Sequence, residues 1–574
     1  MKQIYKQIFG TALLTIVCGA IIYGQGRYSV VITELMADPT PEVGLPNTEW
    51  LEIKNVSSQA LNIQGMRLAK PGGTLSGPMP SLVLAPDSAV VICTASQVAA
   101  LSVFGRTVSV TSFPSLGNTA DLIWLQNAQG EVIHAVDYTI AWYKNDIKAD
   151  GGWTLEMIDS RFPCQGIENW TASVHPRGGT PGQPNSVARA NADSRPPQLI
   201  NAFANTATSI TLTLNEPLLQ GAGAAANYTV SDGVTVTTAV AQPPLHNQVL
   251  LGLGAALQAG RVYTVRVSNV ADCAGNAIAA ASEARVGLAQ QADSLDVVVN
   301  ELLFNPIPLA NDYVELYNRS NKIIDLASLN IANRSSTSGN IGSITRLTAN
   351  NTLLFPKEWV AFTADTAQLK QLFTVANPQN LYPIGLPSYP DDKGWVVLMN
   401  TQGAIIDELA YDQRWHFALV DNREGVALER ISYEAPTNSR DNWTSAAKSS
   451  GFGTPTAQNS QHKAPTDVLQ GEIVVEPRLF SPDNDGFEDF ALIRFRLDQP
   501  GYVGNITIMD AAGRPVRVLQ RNATLAQTGS FRWDGLGDKQ QRLPVGTYIV
   551  YTEIFNLQGQ KRTFKNTVAI ARKF

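Results

Sequence analysis

VVITELMADPTP at residues 30–41 has a counterpart in VVVNELLFNPIP at residues 297–308. Further segments correspond in the same order, at an offset of about 270 residues. They are EWLEIKNVSSQALNIQGMRLA (49–69) with DYVELYNRSNKIIDLASLNIA (312–332), LQNAQGEVIHAVDYTIAWY (125–143) with MNTQGAIIDELAYDQRWHF (399–417), and GGTPGQPNS (178–186) with GFGTPTAQNS (451–460). The repeat predicts two homologous domains, at residues 28–188 and 293–462.

Both copies carry the pattern of β-strands. EWLEIKN and its counterpart alternate apolar and polar residues, which is the period of a strand. NAQGEVI (127–133) and NTQGAII (400–406) contain the glycine of a tight hairpin turn. The chain has 44 glycines and 32 prolines in 574 residues and few amphipathic helical stretches, so we predict an all-β protein of tandem sandwiches.

The repeated segments resemble the lamin-tail domain of bacterial secreted proteins. The resemblance rests on ITELMADP, EWLEIKN, NAQGEVIHAVDY, GWTLEMID, NWTAS and GGTPGQPN, and it runs along both copies. It implies an immunoglobulin-like sandwich for each copy. It implies no single activity, because the family occurs as an accessory module beside diverse partners.

The segment between the copies, residues 195–288, resembles a bacterial immunoglobulin-like domain of the S-layer type. TATSITLTLNEPL (206–218) is predicted to form a strand, and the proline near its end is typical of the edge of a sheet. The family's Asp-x-x-Gly-Asn turn is matched by Asp272, Gly275 and Asn276. The resemblance implies a third immunoglobulin-like sandwich.

The last segment, residues 470–574, resembles the immunoglobulin-like domain of the flagellar hook-capping type. The resemblance rests on Trp533-Asp534-Gly535 followed by PVGTY (544–548). Similar domains end many gliding-motility-associated surface proteins, which use an outer-membrane route such as type IX secretion. The resemblance implies a sorting or attachment domain that export machinery recognises.

The first residues, 1–24, have the pattern of a signal peptide. Lys2 and Lys6 precede a short apolar run with no stop-transfer charges after it, so we expect cleavage after Gly24. Four domains would then follow, secreted or held at the cell surface or outer membrane of a Gram-negative bacterium. No other segment approaches the ~20 apolar residues of a membrane-spanning helix. A net charge of −6 makes a nucleic-acid partner unfavourable.

Three cysteines follow the signal peptide: Cys93, Cys164 and Cys273. An oxidising compartment allows one disulfide with one thiol left over. Cys93 and Cys164 fall in the same predicted domain. We therefore predict a disulfide between these two and an unpaired Cys273.

The stretch FSPDNDGFED (480–489) gathers three aspartates and a glutamate around one glycine. An EF-hand also needs an oxygen ligand at its first position and a glutamate at its twelfth, where this chain has Ser481 and Leu492. The leading interpretation is a turn whose Asp and Asn side chains bond their own backbone. The alternative is a weak Ca²⁺ site formed by Asp483, Asp485 and Asp489. We predict no other cofactor.

Two aromatic stretches occupy corresponding places in the repeat, YTIAWY (138–143) and YDQRWH (411–416). Aromatic and arginine side chains at loop tips suit binding of carbohydrate or protein. The binding residues predicted in this way are Trp142, Tyr143, Arg414 and Trp415. The alternative is that the aromatic rings close one end of each sandwich.

The sequence contains none of the common hydrolase, metalloprotease or nucleotide-binding motifs. Carboxylates do recur in matched pairs, which are Glu34/Glu301, Glu52/Glu315 and Glu156/Glu429. Each lies in or beside a strand motif of both copies. This placement favours framework hydrogen bonds or salt bridges over a hydrolase pair.

These observations predict an exported multidomain surface protein that is not an enzyme, with sandwiches acting as spacer and adhesion modules. Its partners would be a surface protein or a polysaccharide, and its C-terminal domain would engage the export machinery. The alternative is an accessory protein that binds nucleic acid or polysaccharide for a secreted hydrolase.

Overall fold

The computed structural model describes residues 26–572, apart from residues 281, 421, 465–467, 500 and 557. Strands dominate, and the α-helices of this described part are short: α1 (Val98–Leu101), α2 (Asp146–Ala149) and α3 (Thr366–Leu372). None of its helices is long and apolar enough to cross a membrane. The all-β prediction is confirmed. The predicted signal peptide, residues 1–24, lies outside the described residues.

The first repeat is a sandwich of two main sheets. Its strands are β1 (Val30–Met36), β2 (Trp50–Asn55), β3 (Leu61–Asn62), β4 (Arg67–Lys70), β5 (Thr74–Leu75), β6 (Val83–Leu84), β7 (Ala89–Cys93), β8 (Thr107–Ser109), β9 (Ala120–Gln126), β10 (Val132–Thr139), β11 (Leu155–Met157) and β12 (Trp170–Ala172). One sheet has the order β12-β11-β1-β2-β7-β8 and the other β10-β9-β4-β5, while β3 pairs with β6. Ile32 and Ile53 of the first sheet share one core with Leu68 and Ile123 of the second.

The intervening unit is a smaller sandwich. Its strands are β13 (Leu199–Thr206), β14 (Ser209–Leu214), β15 (Tyr228–Val230), β16 (Val236–Gln242), β17 (Gln248–Leu253), β18 (Tyr263–Val267) and β19 (Glu283–Val286). The sheet β13-β14-β17-β16 packs on the sheet β15-β18-β19. Alternation along β14, with Ile210 and Leu212 buried and their neighbours half-buried, supplies one side of the core.

The second repeat has the strand order of the first. Its strands are β20 (Val297–Leu303), β21 (Tyr313–Asn318), β22 (Ile324–Asp325), β23 (Leu329–Arg334), β24 (Ile341–Arg346), β25 (Leu353–Leu354), β26 (Trp359–Thr363), β27 (Leu381–Pro383), β28 (Lys393–Asn400), β29 (Ile405–Asp412), β30 (Leu428–Arg430) and β31 (Trp443–Ser445). The sheets run β31-β30-β20-β21-β26-β27 and β29-β28-β23-β24, with β22 on β25. Even the parallel pairing at the sheet edge recurs, as β7 with β8 and β26 with β27. The sequence repeat is therefore a repeat of the whole fold.

The C-terminal unit is a sandwich of long strands. They are β32 (Glu472–Glu476), β33 (Leu479–Phe480), β34 (Ala491–Arg496), β35 (Tyr502–Asp510), β36 (Pro515–Leu525), β37 (Thr528–Trp533), β38 (Gly546–Phe555) and β39 (Lys561–Ile570). A sheet β32-β34-β37 faces a sheet β33-β39-β38-β35-β36. Trp533 lies in their common core, edge-on to the rings of Phe480 and Tyr548. The strands of all four units lie inside the predicted domain ranges.

β1 and β20 are buried along their whole length. Strands of a sheet with one solvated face alternate between buried and exposed residues, so a second cover is needed here. Returning segments of the same repeat, which include Thr180 to Val187 in the first copy and Thr454 to Gln461 in the second, lie on the outer face. This cover removes the polar side chains of the outer face from water.

Candidate functional site

Three buried glutamates meet on the outer face of the large sheet in each repeat. The register places Glu34 opposite both Glu52 and Glu156. The corresponding strands of the second repeat place Glu301 opposite Glu315 and Glu429. We call these groups the first trio (Glu34, Glu52, Glu156) and the second trio (Glu301, Glu315, Glu429). Each of the six residues is at most 1% exposed.

The first trio holds the returning segment through that segment's own donors. The Glu34 carboxylate accepts hydrogen bonds from the Thr180 amide at 2.7 Å and from the Thr180 hydroxyl at 3.4 Å. The same hydroxyl lies 2.9 Å from a carboxylate oxygen of Glu156. Glu52 accepts from the Gly182 amide at 2.7 Å. The segment that covers the sheet is thus fixed by buried carboxyl groups.

The second trio makes the same bonds to the equivalent segment. Glu301 accepts from the Thr454 amide at 2.9 Å, and Glu429 accepts from the Thr454 hydroxyl at 2.9 Å. Glu315 accepts from the Thr456 amide. A hydrogen bond to a carboxyl group contributes about 0.5–1.5 kcal/mol when that group is neutral and about 1.5–3 kcal/mol when it is charged. The prediction that these glutamates are framework residues is confirmed.

A β-bulge in each central strand adds one more donor. The register shifts at Thr33 in β1 and at Asn300 in β20. The Thr33 hydroxyl donates to Glu52 at 2.8 Å, and the Asn300 amide donates to Glu315 at 2.7 Å. A bulge turns an extra side chain toward one face, and here that side chain reaches the trio.

Burial changes the protonation chemistry of both trios. Loss of hydration raises the pKa of Glu52 to about 7 and that of Glu301 to about 8. Loss of hydration is also the main reason why the pKa values of Glu34 and Glu315 lie well above the usual range, and neighbouring carboxyl groups raise them further. Glu34, Glu52, Glu301 and Glu315 therefore keep a proton to higher pH than an exposed glutamate does.

Comparison with protein families identifies these units. Residues 25–139 match the Lamin Tail Domain. The match covers strands β1 to β10 of the first repeat and ends before β11 and β12. Residues 193–286 match the Bacterial Ig-like domain, and residues 483–553 match the FlgD Ig-like domain. The second repeat lies outside these matches. Because it has the strand order and the glutamate trio of the first repeat, we use the names first and second lamin tail domain as labels for the two repeats.

No curated protein matches the chain. Among solved structures, the N-terminal part of the bacterial S-layer protein SbsC is 16% identical over 29% of this chain, with a TM-score of 0.17. The chain spans only 45% of that structure. A DUF4876 family protein from Bacteroides thetaiotaomicron is 13% identical over 40% of this chain and 95% of its own length, with a TM-score of 0.20. Because both TM-scores are low, these similarities carry no argument about function.

The first lamin tail domain is joined covalently to the Ig-like domain. Cys164 and Cys273 form a disulfide, and Cys93 is free and buried. The predicted pair of Cys93 with Cys164 is therefore wrong. Cys93 ends β7 inside an apolar cluster with Met36 and Trp50, whereas Cys164 lies beyond β11 in a loop that faces the Ig-like domain. Membership of one domain did not bring the two sulfur atoms together.

The Ig-like domain and the segment after it both contact the second lamin tail domain. The amide of Gln290, in the connecting segment, donates to the Ile323 carbonyl at 2.8 Å. Arg285 forms an ion pair with Glu358 at 2.6 Å, and its guanidinium lies 4.2 Å from the centre of the Phe355 ring. Exposed ion pairs contribute only about 0–1 kcal/mol, so the stacked ring and the backbone bond matter more here.

The acidic loop docks the FlgD-type domain onto the second lamin tail domain. Asp489 accepts from the Gly486 amide at 2.8 Å and from the Gln461 side chain at 2.7 Å. The Lys448 amide donates to the Asn484 carbonyl at 2.9 Å. Gln461 and Lys448 belong to the second lamin tail domain. The loop is therefore a contact between domains as well as a turn.

The same loop keeps its candidate cation ligands within reach of one another. One carboxylate oxygen from each of Asp483, Asp485 and Asp489 lies within 4.8 Å of the others. Asp485 accepts from the Phe487 amide at 2.9 Å, and Asp489 accepts from the Asp485 amide at 3.0 Å. These local bonds confirm the turn interpretation for the aspartates, whereas the Asn484 side chain donates to the Ala446 carbonyl of the second lamin tail domain at 3.1 Å. The weak Ca²⁺ site stays a prediction.

Apolar and charged groups complete this last junction. Ile431 of the second lamin tail domain packs with Phe490 and Leu492 of the FlgD-type domain. Arg532 is 8% exposed and donates to the Trp443 carbonyl at 2.7 Å across the junction. A buried guanidinium that lost this acceptor would be costly, so the bond favours the docked arrangement.

The aromatic stretches contribute mainly to packing. Tyr143 is 2% exposed in the core of the first lamin tail domain, so the prediction that it binds a partner at a loop tip is wrong. A single helical turn directs its ring inward. Trp142 is half-buried beside Trp170, with ring centres 6.0 Å apart, and Trp415 packs against the second core. The Arg414 side chain is exposed. Binding through Trp142, Arg414 and Trp415 stays a prediction.

Proposed function

We propose that this protein is an exported, non-catalytic surface protein whose sandwich domains form a scaffold for adhesion. The observation that carries the proposal is that each pair of successive domains is held by specific contacts. The first junction has a disulfide, the second a backbone bond with a stacked arginine, and the third a buried arginine with an apolar cluster. Domains held in this way present their loops in a defined arrangement, which suits a scaffold.

The glutamate trios support a role without catalysis. Clustered carboxyl groups with raised pKa values are common at active sites. Here they lie beneath a covering segment and bind that segment's own amides and hydroxyls. Their chemistry is accounted for by holding the fold together, in both copies alike.

The C-terminal domain is the proposed sorting or attachment element, with the export machinery as its partner. Its last strand, β39, alternates between exposed and half-buried residues over most of its length. Lys561 and Lys565 of this strand are exposed, and Lys561 pairs with Glu553 at 2.6 Å. A basic, accessible strand of this kind suits recognition by a transport system such as type IX secretion.

Surface exposure and sorting can be tested in cells that export the protein. We expect the full chain to be cleaved by protease added to intact cells. Deletion of residues 470–574 should leave the remainder inside the outer membrane and protected from protease. Because deletion also uncovers Ile431, a second arm fuses residues 470–574 to an unrelated exported reporter, which should then reach the surface. Normal display of the deleted chain, or a fused reporter that stays inside, would refute the sorting role.

The adhesion role has a separate test. The protein lacking residues 1–24 is applied to an array of polysaccharides and surface proteins, beside a variant with Arg414→Ala. Retention on a protein or glycan that the cell meets outside would support adhesion. The alternative, an accessory role for a secreted hydrolase, would be favoured by binding confined to one polymer together with a hydrolase gene adjacent to the gene for this chain. No binding on any surface would refute adhesion.

A further inference from the structure

A second group of carboxylates lies where the first lamin tail domain meets the Ig-like domain. One carboxylate oxygen from each of Asp193, Glu216 and Asp272 lies within 4.8 Å of the others. Asp193 lies at the start of the Ig-like match, where the chain enters that domain. Glu216 lies in the loop after β14, and Asp272 lies in the turn after β18 beside the disulfide cysteine Cys273. Three separate parts of the chain therefore converge on one point.

Asp193 has a buried oxygen without a partner. The residue is 8% exposed, and its Oδ1 accepts from the Arg195 amide at 3.0 Å. Its Oδ2 is buried and has no hydrogen-bond donor among the described residues. Buried polar atoms are nearly always paired with protein, water or an ion, and a carboxylate oxygen left alone is costly. This oxygen belongs to the same side chain that meets Glu216 and Asp272.

Asp272 is held rigidly toward the cluster. Its Oδ1 accepts from the amides of Ala274 and Asn276 at 2.9 and 2.8 Å. Its Oδ2 accepts from the Asn276 side chain at 2.8 Å, and that side chain also donates to the Asp193 carbonyl at 3.2 Å. Each carboxylate oxygen has two lone pairs, so Oδ2 can take one more ligand. The carboxylate is positioned before any ion arrives.

The cluster has little positive charge around it. Arg195 is the cation whose field acts on Asp193 and Glu216, but its side chain is 73% exposed and pairs with Glu168 at 3.4 Å. Without a further cation, the three carboxyl groups repel one another in a site that is largely removed from water.

We propose that Asp193, Glu216 and Asp272 bind a calcium ion at this junction. Ca²⁺ takes oxygen ligands at about 2.3–2.6 Å in flexible geometry, so two of its ligands lie within about 5 Å of each other. The three carboxylates meet that span and supply the negative charge. Water molecules complete the coordination, because Ca²⁺ takes about 6–8 ligands. An incomplete protein shell gives an affinity of about 10⁻⁴–10⁻³ M, the range of extracellular calcium modules.

The bound ion ties the segment that enters the Ig-like domain to two loops of that domain, next to the disulfide between Cys164 and Cys273. It would therefore stiffen the Ig-like side of this junction. This site would act in the same way whether or not the protein has an adhesion role.

The direct test is calcium titration calorimetry on the full chain without residues 1–24. The variants are Asp193→Asn and Glu216→Gln, with Asp483→Asn as the matched control in the acidic loop of the FlgD-type domain. We expect a calcium site that Asp193→Asn and Glu216→Gln each weaken more than tenfold and that Asp483→Asn leaves unchanged. An amide at position 193 can still accept from the Arg195 amide, so this variant keeps the local turn.

Thermal unfolding gives a second readout, because the difference in melting temperature between wild type and variant should differ between chelator and calcium. In chelator, Asp193→Asn should melt at the same temperature as the wild type or higher, because it removes like-charge repulsion. In millimolar CaCl₂, the wild type should melt higher than the variant. Equal calcium responses in wild type and in both cluster variants would overturn the proposal, as would no calcium binding. Equal response to MgCl₂ would overturn the choice of calcium.

Discussion

Substitution of Gly182 tests how the covering segment is held on the first trio. Its φ is +73°, its amide donates to Glu52 at 2.7 Å, and a Cβ placed on it would lie 2.4 Å from the Gly105 Cα. Ordinary contact begins at 3.4 Å, so the segment must move by roughly the 1 Å difference between these distances. The neighbour is backbone and cannot rotate away. Gly182→Ala should therefore pull the segment off Glu52.

The loss of stability expected in Gly182→Ala follows from a comparison with Gly130→Ala. Gly130 also has a positive φ, +86°, but a Cβ there would meet nothing within 4 Å. Left-handed strain alone costs about 1–2 kcal/mol, and both variants incur it. Gly182→Ala adds the loss of a hydrogen bond to a buried carboxyl group, about 1.5–3 kcal/mol. We expect Gly182→Ala to destabilise the first lamin tail domain by about 2.5–5 kcal/mol.

Cys93 is a local reporter of that domain. It is fully buried, and it is the free cysteine of the described chain. When reclosing is faster than modification, the labelling rate of a buried thiol follows the open fraction of the domain. Each ~1.4 kcal/mol of destabilisation should then speed labelling tenfold. We expect an increase of about 5–30-fold in Gly130→Ala and of about 60-fold or more in Gly182→Ala. Equal increases in the two variants would refute the reasoning.

Peptide mapping without reductant should recover Cys164 linked to Cys273, and modification of Cys164 under those conditions would contradict the assignment. Both lamin tail domains should lose stability as pH rises from 5 to 9. Glu301 has a pKa of about 8 in the folded domain, whereas the ordinary value is 4.5. Its protonated form therefore stabilises the folded domain. This stabilisation, about 5 kcal/mol at most, is lost as pH rises through 8. Denaturant unfolding at several pH values should show this slope, and an unchanged slope in Glu301→Gln would contradict it. Arg532→Met should speed protease cleavage of the linker before the FlgD-type domain several-fold, because it removes the buried bond across that junction. The same change at the exposed Arg496 is the control, and equal effects of the two would count against a specific contact.

The amino-acid sequence by itself determined the class of fold and its repetition. Strand periodicity and turn chemistry are expressed within short windows, so the hairpin glycines Gly130 and Gly403 take the left-handed conformation that their turns require. The matched glutamates could be assigned to the framework because each sits in a strand motif that both copies share. The repeated GGTPGQPNS and GFGTPTAQNS segments could be seen in the sequence. Their role as hydrogen-bond donors to the glutamate trios could not.

Only the tertiary structure decided which distant residues meet. Cys164 and Cys273 are separated by 109 residues and belong to different domains, so no local pattern connects them. The inward direction of Tyr143 depends on one helical turn, and the docking of Asp489 on Gln461 depends on how two domains pack. Periodicity specifies which face of a strand is apolar, whereas contacts between domains depend on loop shape and on burial that arises only after each sandwich has formed.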